Sequence, residues 1–139
     1  MKTATATWAS GANIDSGAIS IPANSIITKL SAVVTTQLAQ ASGNVGISVG
    51  TAAGGTQFTG TLDADCLEAS STTVAVGLGT STDDVLTAAL GGTAIMGALV
   101  GAYRSAATDV HFRAVSSGGA FTAGAFLCIV EYVVLTANA

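Results

Sequence analysis

Charge is what this sequence has least of. Of 139 residues, 4 are Lys or Arg and 8 are Asp or Glu, so 9% are charged, against roughly 25% in an average soluble domain. The basic residues Lys2, Lys29, Arg104 and Arg113 are scattered along the chain. Neutralising phosphates needs clustered cations, so nucleic acid is excluded as the main ligand. A net charge of −4 leaves little repulsion to keep copies apart, and the solubility of an isolated monomer rests on that repulsion. The composition reads as a surface meant to be covered by other protein.

Aromatic residues are also few, at 5%, although half of the chain is apolar. The expected core is therefore assembled from many small Ala, Val, Ile and Leu side chains rather than a few rings. There is one histidine, His111, in an alternating run between Val110 and Phe112. A Ser-His-acid arrangement would have to be built from distant loops, and His111 reads as a surface or interface imidazole. Neither a GxSxG elbow nor a phosphate-binding loop occurs. The glycines of GNVGISVGTAAGG are followed by no lysine, and they read as turns and close packing.

Cys66 and Cys128 are the only cysteines. They lack metal-ligand spacing and read as free buried thiols in a chain that matures in a reducing cytoplasm. The start, MKTATATWASGAN, has one Lys and no apolar run after it, so no secretory signal is expected there. Two acidic pairs, Asp63 with Asp65 and Asp83 with Asp84, could touch a hard cation. Such sites need several more oxygens from fixed positions, and helix capping and loop solvation explain the acids as well. No catalytic residue, cofactor or metal site is expected, and the chain is read as non-enzymatic.

What is present is strand alternation. In residues 26 to 38, Ile26, Leu30, Ala32, Val34 and Leu38 fall on one face and Lys29, Ser31 and Thr35 on the other. Val45, Ile47 and Val49 alternate with Gly46 and Ser48, and Val110, Phe112 and Ala114 alternate with His111 and Arg113. Ile19 and Ile21 share a face before Pro22, which cannot donate to a ladder and should end that strand. Residues 23 to 25, Ala-Asn-Ser, then form a corner. Further strands are expected near residues 57 to 62 and 72 to 78, and a helix of one or two turns over 63 to 70 with Asp63 as its cap.

Within residues 120 to 135, both faces are apolar around Phe126 to Leu135 apart from Glu131. That suggests a central strand covered on both sides, or one face buried against another subunit. Residues 85 to 103 carry no charge and are long enough to cross a bilayer, with Gly97 and Gly101 at a helix-pairing spacing. Gly91 and Gly92 in the middle, and strands on either side, favour a break followed by a buried strand from Ala94 to Tyr103, and no membrane partner. Several short strands with Gly-rich turns predict an all-β, single-domain antiparallel β-sandwich, jelly-roll-like, with at most one or two short helices. Residues 1 to 14 are read as an N-terminal arm or edge strand, and 15 to 139 as the sandwich domain.

The order of three segments resembles a known group. IPANSIITKLSAVVTTQL (21 to 38), then NVGISVGT (44 to 51), and the ending TAGAFLCIVEYVVL (122 to 135) are similar to segments of small virion structural proteins of tailed bacteriophages. The resemblance runs from about Ile19 to Leu135. It implies a β-sandwich or jelly-roll subunit on the capsid surface, a decoration or cement protein made in the host cytoplasm. The implied partners are the major capsid protein and copies of itself, as a homotrimer. The group has no catalytic residues to carry over. This sequence departs from it in its low charge and in the uncharged stretch from 85 to 103. Trp8 with the N-terminal arm is the expected docking element, and Phe121, Phe126 and Tyr132 are expected in intersubunit or core packing. Two other functions fit less of the chain: a tail or head-fibre module that binds a receptor or glycan, and a small membrane protein.

Overall fold

The computed structural model describes residues 1–40, 45–55, 58, 62–63, 75–76, 103–116 and 118–136. Their order is β1 (Lys2–Thr7), β2 (Asn13–Asp15), β3 (Ile19–Ile21), β4 (Ser25–Gln40), β5 (Val45–Gly50), β6 (Leu62–Asp63), β7 (Ala75–Val76), β8 (Tyr103–Arg104), β9 (Thr108–Ser116) and β10 (Phe121–Val134). No helix occurs among the described residues. One sheet runs β1-β10-β4-β7, with β8 also on β4; the other runs β2-β9-β5-β6, with β3 also on β9. Every pairing is antiparallel. The described part is an antiparallel all-β sandwich, as the alternation predicts.

The chain changes sheet repeatedly. It passes from β1 in the first sheet to β2 and β3 in the second, returns as β4, crosses again to β5 and β6, and finishes from β9 to β10. Burial of the inward set drives this arrangement. Val45, Ile47, Val49, Val110, Phe112 and Ala114 of the second sheet are fully buried against Leu30, Ala32, Phe126, Cys128 and Val130 of the first. The few rings are central to that core. All four phenylalanines of the chain, Phe58, Phe112, Phe121 and Phe126, are at most 1% exposed. Each buried ring contributes about 1.5–3 kcal/mol, so the core leans on rings more than the composition suggests.

One expectation is corrected. Ile27, not Ile26, is the buried residue at the start of β4. The register explains why: Glu131 faces Lys29 but Tyr132 faces Ile27, which leaves Thr28 as an extra residue that swaps the faces. β2, which the alternation does not mark, holds Ile14 fully buried between exposed Asn13 and Asp15. Pro22 ends β3, and the corner after it contains Asn24 at φ 57°, a left-handed conformation that Asn tolerates. Residues 64–70, 77–102 and Cys66, with the expected short helix, Asp65, Asp83 and Asp84, lie outside the described residues; Asp63 itself pairs with Gly46 in β6.

Candidate interaction surface

The outer faces of the two sheets differ in chemistry. On the second sheet, Arg113 donates from Nε to Asp15 Oδ1 at 2.6 Å and from Nη2 to Oδ2 at 3.0 Å. Ser20 donates to Asp109 nearby in the same sheet, and His111 is half-buried on β9. The Asp15 interaction holds the Arg113 guanidinium above its ordinary range, with the side chains 25% and 38% exposed. An ion pair this open to water contributes about 1 kcal/mol or less.

The first sheet presents the opposite character. β1 lies at its edge with Thr3, Thr5 and Thr7 exposed, opposite Ile129, Leu127 and Ala125 of β10. Leu127, Ile129 and Val33 are half-buried on this face. The described charges on it are Lys29 and Glu131, which pair with each other at 3.4 Å. At the end of the sheet, Tyr103, Ile26 and Val133 stand in one row across β8, β4 and β10. Tyr103 is 55% exposed, Val133 51%, Val134 46% and Leu135 45%. Contiguous exposed apolar side chains of this kind mark interaction sites.

The residues singled out from the sequence divide between core and surface. Phe121 and Phe126 are buried within this chain, which is the core-packing side of what was expected of them. Tyr132 is half-buried and packs against the same core. Trp8 also packs against the core, donating from Nε1 to the Gly11 carbonyl at 3.2 Å and from its backbone N–H to the Gly124 carbonyl at 2.8 Å. These bonds tie the end of β1 to the turn after it and to β10. The chain has no match among protein-family models, curated proteins or solved structures. No group of three or more His, Cys, Asp or Glu that could hold a metal occurs among the described residues. Among those residues, too, no helix is long and apolar enough to cross a membrane.

The surface residues that sequence reasoning missed are Val133, Val134 and Leu135. Their signal was the apolar character of both faces near the end of the last strand. That pattern marks a covered strand as readily as an uncovered one.

Cys128 is the one described thiol and lies fully inside the core. Burial pushes it up to about 12 from 9.0, while a hydrogen bond with Ser16 acts in the other direction. The thiolate is the nucleophile, so Cys128 is inert in the folded chain. Between pH 9 and 12 the unfolded chain loses this proton and the folded chain keeps it. Stability is therefore intact below pH 9 and falls above it, by about 1.4 kcal/mol per pH unit for one proton. Unfolding by urea at pH 8 and pH 10 should show the drop, and Cys128→Ala should flatten it. An equal drop in the variant would assign the pH dependence to other groups.

Proposed function

We propose that this chain is a non-enzymatic structural subunit, a virion decoration or cement protein that binds a phage head shell and stabilises it through protein contacts. The supporting observation is the contrast between the two outer faces: one carries ion pairs and polar groups, the other is threonine-edged and apolar, with its described charges paired internally. A face of that kind loses little when desolvated, because among the described residues no unpaired charge on it has to leave water. Burial of about 800 Å² per partner is enough for a specific contact. Engagement of several capsid subunits by linked copies raises avidity with no new contacts. The resemblance in chain order supplies the partner, the major capsid protein, and the location, the capsid surface.

The test compares shells that carry the protein with shells that lack it. Shells with the protein should withstand higher temperature and pressure before releasing their contents. Equal resistance of the two preparations, or no retention of the purified protein on bare shells, would remove this function.

A further inference from the structure

We propose that the Lys29–Glu131 pair is buried intact when the apolar face of the first sheet is covered, and that it restricts this face to a partner surface bearing no charge at that point. The inference rests on the docking function proposed above and names the chemistry of the partner. It begins with where the pair sits. Glu131 of β10 stands directly opposite Lys29 of β4, with Nζ 3.4 Å from Oε1. Toward one end of the sheet the face continues as Ile129, Leu127 and Val33. Toward the other it continues, past the extra residue Thr28, as Val133, Ile26 and Tyr103. The described charges of this face therefore lie in the middle of its apolar band rather than at a rim, with side chains 34% and 43% exposed.

A partner that touches both halves of the band must cover what lies between them. From Leu127 to Val133 is about 20 Å at about 3.4 Å per residue, well within a contact that buries about 800 Å² per partner. Covering it takes both charges out of water. Two opposite charges that enter a contact together keep their mutual attraction, which strengthens as the surroundings become less polar and offsets the lost hydration. A single charge left there has nothing to offset it. Removing one member of a buried pair is accordingly far more costly than replacing both by apolar side chains.

The same geometry decides what may face the pair. A partner charge placed over it is attracted by one member and repelled by the other, which is 3.4 Å away, and it gives up its own hydration as well. An acid or a base on the partner is therefore rejected at this point whichever its sign. An uncharged surface meets no such penalty.

Retention on bare shells tests this with five chains: the natural one, Lys29→Met, Glu131→Met, the double methionine variant, and a chain with the charges exchanged, Lys29→Glu with Glu131→Lys. Both positions are partly open to water in the isolated chain, so circular dichroism should be the same for all five. Each single variant should bind at least about a hundredfold more weakly than the natural chain, because one charge is then buried alone. The double variant should bind as tightly or more tightly. The exchanged pair should also match the natural chain, since an uncharged partner does not distinguish the order of the two charges. Single variants that bind like the natural chain, a double variant as weak as the single ones, or an exchanged pair that fails to bind would each overturn the inference while leaving the docking function in place. Failure of the natural chain itself to be retained would remove the docking function and this inference together.

Discussion

Replacing Gly124 with Ala is expected to lower stability by about 2–6 kcal/mol, combining backbone strain of about 1–3 kcal/mol with overpacking of about 1–3 kcal/mol. Gly124 has φ +151° and sits in β10 against Leu38 and Ile14. A Cβ there would lie 2.6 Å from Leu38 Cδ2, 2.9 Å from Ile14 Cδ1 and 3.3 Å from the Leu38 backbone Cα. The Leu38 and Ile14 side chains are themselves buried, so neither can move aside without disturbing the core. Because a domain of this size is stable by about 5–15 kcal/mol in all, the upper end of that loss unfolds the chain. The midpoint of urea unfolding reads the effect. By comparison Gly17, at φ +70° with nothing within 4 Å of a Cβ, should show only the backbone part. An unchanged midpoint for Gly124→Ala would mean that β10 passes this point differently.

Phe126→Ala should cost about 3–5 kcal/mol, the usual loss when a buried ring is deleted and the cavity only partly collapses. Phe126 is fully buried and lies between Ala6 of β1 and Val34 of β4 in the register. The loss therefore belongs to the monomer and should be measurable at protein concentrations where no association occurs. A Phe126 variant that folded normally but failed only in association would place the ring at an interface instead.

Much of the sandwich was legible because side chains of a strand alternate with a period of two, and that period is a local property. Ile19 with Ile21, Val45 with Ile47 and Val49, and Val110 with Phe112 and Ala114 each chose the buried face from the residues of their own strand. β2 escaped notice because one buried residue, Ile14, makes no period. β4 was misphased at its start because the extra residue Thr28 exchanges its faces, and nothing in the order Ile26-Ile27-Thr28 says which isoleucine turns inward.

By itself, the sequence determined that this is a chain of strands with few charges, and which residues on most strands face inward. Which strands pair was decided only by the tertiary structure. β1 joins β10 across nearly the whole chain, β3 and β2 share β9, and both long strands β4 and β10 bend through several irregularities. Glycine-rich strands specify register weakly, and a pairing between distant segments is selected by how the complete core fills rather than by any one of them. The same holds for the candidate contact. Tyr132 to Leu135 reads as one more buried strand, and only the tertiary structure leaves Val133, Val134 and Leu135 about half-exposed.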